Sequence, residues 1–251
     1  MAQRTPALVG ISHGTSSPEG QRAVRALGDA VAEVVAQRHP DAPPSVRLGH
    51  VDVEQPDVPA TLASLEAGEP AVVVPLLLSA GYHVYVDLTE AVADESTRPV
   101  VLSGALGPDD RLATVLLRRL EEAGLRDDDR IVLAVAGSSD VRAVEDCRDQ
   151  AARLAAASGR EIALGFLSAA EPRLPEAVAA ARTQGQATGA GAGGRVVVAN
   201  YLLAPGYFDD LARAAGADVT AQPLLVPDEP APREVVDVVL ERYAAASARL
   251  A

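Results

Sequence analysis

The chain has 251 residues, enough to bury a proper core whether it folds as one domain or two. Aromatic residues make up 3% and tryptophan is absent, so that core must be built from Val, Leu and Ala. A formal net charge of -13 argues against a nucleic-acid or anionic-membrane surface, and a single cysteine excludes an intrachain disulfide and any multi-cysteine zinc or iron-sulfur site.

That cysteine, Cys147, reads as a small buried thiol. The N-terminal MAQRTPALVG has no long apolar stretch with a cleavage site, and no later run approaches membrane-spanning length. The expected location is the cytoplasm.

ALVGIS at 7 to 12 is a short apolar strand ending at His13, and Gly14-Thr15-Ser16-Ser17 turns the chain. Ser17 suits a helix cap and Pro18 a first helical position, after which Ala23, Leu27, Ala30, Val31 and Val34 recur at helical spacing up to His39-Pro40. VRLGHVDV at 46 to 53 is a second strand, closed by Glu54-Gln55-Pro56 before a helix through Leu62 and Leu65. AVVVPLLLSAGYHVYVDL at 71 to 88 gives a third strand, buried on both faces, then a Gly-Tyr turn carrying His83 and a helix from about Val84 to Glu95. Pro99 to Ser103 is a fourth strand, and Asp109 to Ala123 a helix with Leu112, Leu116 and Leu120 in line.

The pattern then begins again. IVLAVAGSSD at 131 to 140 answers LVGISHGTSS, EIALGFLSAAEPRL at 161 to 174 answers VRLGHVDVEQPDV, and VVVANYLLAPGYF at 196 to 208 answers AVVVPLLLSAGYH. A strand near Val219 to Leu224 and a helix from Arg233 to Ala246 complete the copy. Strands alternating with helices predict an α/β protein of two tandem flavodoxin-like domains, each a mainly four-stranded parallel sheet with helices on both faces. The expected division is 1–126 and 127–251, with Asp127-Asp128-Asp129 a solvated linker and TQGQATGAGAGG at 183 to 194 a flexible surface loop.

Ligands of such sheets bind at the carboxyl strand ends where strand order reverses, which for the order 2-1-3-4 lies between strands one and three. His13 ends strand one and His83 follows strand three, so the two come together across strand tips about 5 Å apart, with Glu54 able to reach the same rim. The second copy has Ala136, Phe208 and Ala170 at these places, so all three polar groups vanish together. Two imidazoles and a carboxylate suit a borderline divalent metal with open coordination positions, one that passes through rather than stays. His39 reads as a solvated helix end, His50 as a strand residue of second rank, and Arg22 and Arg25 as helix decoration. A phosphoryl-transfer site with His13 as nucleophile needs arginines around the phosphate, and neither histidine turn has one adjacent.

SHGTSSPEG, VEQPD and above all PLLLSAGYHVYVDL resemble the sirohydrochlorin cobalt- and iron-chelatase family, the CbiX/SirB type of class II tetrapyrrole chelatase, over nearly the whole chain. The resemblance implies the two-domain long form, a lyase that inserts a divalent metal (Co²⁺, Fe²⁺ or Ni²⁺) into the tetrapyrrole sirohydrochlorin in cobalamin or sirohaem biosynthesis. It implies that His13, His83 and Glu54 are the metal-handling and catalytic residues, that metal is a substrate, and that no organic cofactor takes part. A metal or tetrapyrrole carrier on the same fold is the alternative. The chain departs from the family pattern at Ser16, where members often carry arginine, and at Tyr85, where a basic residue is expected. Backbone amides at the helix N-termini after residues 14 and 206 are then the candidates to anchor substrate carboxylates. With two facing halves in one chain, a monomer with internal pseudo-two-fold symmetry is expected.

Overall fold

In the computed structural model, residues 5–79, 81–187 and 195–250 are described, apart from the side chains of 82–85 and 185–187. The first half runs β1 (Ala7–Ser12), α1 (Pro18–Arg38), β2 (Val46–His50), α2 (Val58–Ala63), β3 (Ala71–Pro75), α3 (Tyr82–Asp94), β4 (Val100–Leu102) and α4 (Asp110–Glu122). The second runs β5 (Arg130–Val135), α5 (Val141–Ser158), β6 (Ile162–Phe166), α6 (Leu174–Ala187), β7 (Val196–Tyr201), α7 (Tyr207–Arg213), β8 (Val219–Thr220) and α8 (Arg233–Ser247). The strands form two four-stranded sheets, β2-β1-β3-β4 and β6-β5-β7-β8, parallel throughout. The strand order expected from the sequence therefore holds in both halves.

Strand periodicity sorts the side chains into three cores. Ala7, Val9, Ile11 and Val73 face outward onto Val58 and Leu62 of α2 and Leu88 of α3. Val132, Ala134, Val196 and Val198 do the same onto α6 and α7. Leu8, Val72 and Val74 of one sheet and Leu133, Val135 and Ala199 of the other face inward, and with α1, α4, α5 and α8 they share one continuous core.

The last helix of each half crosses over. α4 lies against β7, α5 and α8, whereas α8 lies against β3, β4 and α1 of the first half. Polar ties fix the crossing: Arg118 pairs with Glu234 at 3.0 Å, Arg111 with Glu241 at 2.7 Å, and Tyr243 Oη donates to Pro6 O at 2.6 Å.

Several local expectations are revised. The second strand ends at His50 rather than at residue 53, because Val53 takes φ 64° and turns the chain out of the extended region, although Val51 and Asp52 still donate to Ser12 O and His13 O. Asp129 is not a solvated linker residue, since its carboxylate is enclosed, accepts from Arg126 N and pairs with Arg195 at 2.8 Å. α6 continues to Ala187, through the start of the stretch expected to be a loop, and residues 188–194 lie outside the described residues. The last strand of the second half is shorter than expected, ending at Thr220.

Candidate functional site

The turn after β1 places His13, which is exposed, at the carboxyl end of the sheet's central pair. Gly14 makes that turn possible: its φ is 92°, and a Cβ there would sit 2.0 Å from Asp52 O. Asp52 N donates back to His13 O at 3.0 Å, so the turn is pinned to the segment that follows β2.

A closed set of polar contacts lies behind His13. Gly14 N donates to Ser12 Oγ at 3.2 Å, and Ser12 Oγ meets His50 Nδ1 at 2.8 Å. The other ring nitrogen, His50 Nε2, faces Glu54 Oε2 at 3.7 Å, while Glu54 Oε1 accepts from Thr15 N at 2.8 Å. Ser12 accepts from Gly14, so its own proton is free to point at Nδ1, and a neutral His50 then keeps its proton on Nε2, towards the carboxylate. Burial lowers the His50 pKa, the Glu54 charge opposes that, and Arg25 adds to it, so the ring is neutral at neutral pH.

The second half repeats the backbone without the polar groups. Gly137 has φ 90°, its substitution would meet Ser168 O at 2.0 Å, and Ser168 N donates to Ala136 O at 2.9 Å. Ala169 matches Val53 in taking a positive φ, 53°, and Phe166 N donates to Pro172 O as His50 N does to Pro56 O. This register sets Val135 opposite Ser12, Phe166 opposite His50 and Ala170 opposite Glu54. Hydrocarbon fills the space that the polar set occupies in the first half.

Between the two sets of strand ends lies a half-open cleft of about 470 Å³. Its first-half wall includes Ser12, His13, Gly14, Thr15, Val53 and Leu76, and its second-half wall includes Val135, Tyr201, Leu202, Tyr207 and Phe208. Tyr207 and Phe208 pack with ring centroids 5.7 Å apart and stay 71% and 37% exposed, an unusual outlay in a chain so poor in aromatics. Cys147 is buried at the floor, where desolvation, with a smaller push from Asp146, raises its thiol to about 12 against a hydrogen bond from Ser79. This bears out the expected small buried thiol, and burial of this kind leaves a thiol unreactive.

Of the expected site residues, His13 lines the cleft and Glu54 lies behind it, tied to the His13 turn through Thr15. His83 is the second residue of α3, the helix that follows β3, and its side chain lies outside the described residues. Among the described residues no three His, Cys, Asp or Glu side chains gather as a metal cage. The amides expected to hold carboxylates at the start of α1 already have acceptors: Thr15 N in Glu54, Ser17 N in Thr15 Oγ1 and Gly20 N in Ser17 Oγ. Gly20 also abuts the second half, since a Cβ there would lie 2.3 Å from Pro205 O. Arg22 is more than helix decoration, reaching across to Asp228 at 3.1 Å.

The CbiX family profile matches residues 7–123 and 130–224, one stretch in each half. The chain belongs to the CbiX family. Among solved structures this CbiX chain is similar to SirB from Bacillus subtilis with Fe³⁺, at TM-score 0.71 and 18% identity over 98% of this chain and 97% of that one. It is similar also to the sirohydrochlorin chelatase SirB from Bacillus subtilis subspecies spizizenii in complex with cobalt, at TM-score 0.67 and 15% identity over 98% and 96%. A multi-domain Deinococcus radiodurans protein with structural similarity to chelatases matches at TM-score 0.62 and 19% identity, over 96% of this chain and 55% of that one. No curated protein matches the chain. These likenesses carry the fold, two chelatase-like units in tandem. Ser12 and the second-ranked His50 are register partners at the last rungs of β1 and β2. The available signal was the parallel register, which puts their side chains on one face.

Proposed function

We propose that this protein inserts a divalent metal ion, Co²⁺ or Fe²⁺, into sirohydrochlorin in cobalamin or sirohaem biosynthesis, with the first half, residues 1–126, carrying the site. The observation that carries this reading is the one-sided cleft: an imidazole-bearing turn, backed by polar groups, faces a wall of leucines and aromatic rings from the second half. A flat macrocycle has apolar faces, a polar nitrogen centre and a carboxylated rim. The cleft offers apolar surface to the faces, His13 to the centre, and an open side through which the rim stays in water. The CbiX match and the chelatases among the similar structures support the same chemistry.

Insertion exchanges two pyrrole N–H protons for metal–nitrogen bonds, so the reaction needs a hand-over ligand for the ion and an acceptor for protons beside the macrocycle. An imidazole serves either role. His13 and His83 hold the incoming ion and one of them takes a proton, with the Glu54 carboxylate assisting from behind the turn. The cleft between the halves clasps the macrocycle in a cytoplasmic, monomeric protein.

The test mixes purified protein with metal-free sirohydrochlorin and Co²⁺ or Fe²⁺ and follows the absorbance change of metallation. A rate above the spontaneous reaction, lost in His83→Ala, is expected. A rate equal to the spontaneous one, with the macrocycle bound, would make the protein a carrier and end the enzyme reading.

A further inference from the structure

We propose that His50 is a positioning residue for metal insertion: together with Ser12 it holds the Glu54 carboxylate and the turn bearing His13 in a single arrangement. This rests on the chelatase reading of the site. His50 is 6% exposed and is not part of the cleft wall, so it acts through the groups that it orders rather than on substrate.

The contacts form a ring around one turn. The two amides that follow His13, those of Gly14 and Thr15, donate into the two ends of the Ser12, His50 and Glu54 chain. The direction of His13 is thereby coupled to the orientation of the His50 imidazole, and the Glu54 carboxylate is held on the same side. Burying these groups costs solvation, and a partly satisfied network is worse than hydrocarbon, so such a set is expected only where it does something hydrocarbon cannot.

The second half shows that folding is not that something. It closes the same turn, with the same glycine conformation and the same return hydrogen bond, on Val135, Phe166 and Ala170. The turn therefore closes without a counterpart of the Ser12, His50 and Glu54 set, and among the described residues its side-chain tie at that place is Ser168 Oγ donating to Ala136 O at 2.8 Å. What distinguishes the polar version is orientation: a phenyl ring looks the same after a half-turn and ties nothing beyond it, whereas the Nδ1 hydrogen bond with Ser12 at 2.8 Å and the charge of Glu54 facing Nε2 at 3.7 Å give the imidazole one preferred direction relative to the carboxylate. The half that keeps these ties is the half that keeps His13, and the half that lost them has Ala136 in its place.

The experiment compares wild type, His50→Phe and His50→Gln in steady-state Co²⁺ insertion, with kcat and KM for sirohydrochlorin measured separately. Phe is the residue that the second half uses at this place, and Gln keeps a donor near the Nε2 position. His50→Phe is expected to lower kcat by about 10–100-fold, the usual cost of losing an orienting partner behind a metal-handling group, with KM changed by no more than about twofold. His50→Gln should recover part of the loss. Should His50→Phe fail to fold, Ser12→Ala, which removes the partner of Nδ1, is expected to lower kcat in the same selective way by a smaller factor. A His50→Phe enzyme with kcat within about twofold of wild type overturns the inference, as do Phe and Gln variants with equal losses, which would mean only that space was badly filled. A wild-type protein that does not accelerate insertion at all would instead overturn the chelatase reading, and this inference with it.

Discussion

His13 is exposed at the tip of a turn whose following two amides are both tied down, so the ring is available to a ligand while its backbone is held. Truncation to His13→Ala should therefore abolish accelerated metal insertion while the fold survives, because Ala136 occupies the matching place in the second half. Glu54→Ala copies Ala170 in the same sense. It should leave a folded protein by circular dichroism and cost about 10–100-fold in turnover, since both of its oxygens face groups that order the site. At Cys147 burial keeps the thiol protonated, and alkylation by iodoacetamide at pH 8 should be slow in the native protein and fast once it is unfolded. The three candidate site residues could be chosen from the sequence because they follow strand tips and the copy lacks all three. His50 ranked second for a physical reason. A histidine inside a strand gives no sign of whom it meets until the register sets Ser12 opposite, and that pairing joins residues 38 apart.

Among the elements, α1 begins as its sequence predicts, with Ser17 accepting from Gly20 N at 3.3 Å and Pro18 in the first turn. Ser17→Ala should lower stability by about 1 kcal/mol, read as a fall in the urea midpoint with unchanged slope. The α4–α8 contact carries a pH dependence. Burial pushes the Asp109 carboxyl up, but hydrogen bonds from the Arg111 side chain and backbone and the charge of Arg242 outweigh it and leave the group below the ordinary carboxylate range. Glu234 behaves alike: burial raises it, and Arg118 holds it down by more. A depressed folded pKa means stability that is present above the unfolded value, about 4, and lost as pH falls through the folded one. Urea midpoints should thus drop on the acid side of about pH 4, and Asp109→Asn should be less stable at neutral pH and show a flatter acid limb. Strands and helices were legible because apolar runs of period 2 and 3.6 alternate cleanly. The end of the second strand was not, since nothing in VRLGHVDV announces that Val53 will take a left-handed conformation.

Across the whole molecule, the duplicated order β2-β1-β3-β4 could be read from self-similarity, but the exchange of α4 and α8 could not. An amphipathic helix declares which face it buries, not which sheet it will cover, and the two sheets offer near-identical valine surfaces. The exchange also makes the cleft: close approaches such as Gly107 under the Tyr201 hydroxyl leave no room for the halves to slide, so the two walls stay in register. Gly107→Val would push a side chain into that hydroxyl and Leu78 O and is expected to weaken sirohydrochlorin binding together with thermal stability, read by fluorescence titration and melting.

Damage to this chain should accordingly travel crosswise. Deleting the stretch from Arg233 onward would strip the cover from Val72 and Val74, more than a hundred and fifty residues upstream, while β7 would keep its cover of α4 and β6 its cover of α5. Hydrogen–deuterium exchange on such a truncation should find the amide-proton protection lost in the sheet farthest from the cut in sequence and retained in the sheet beside it.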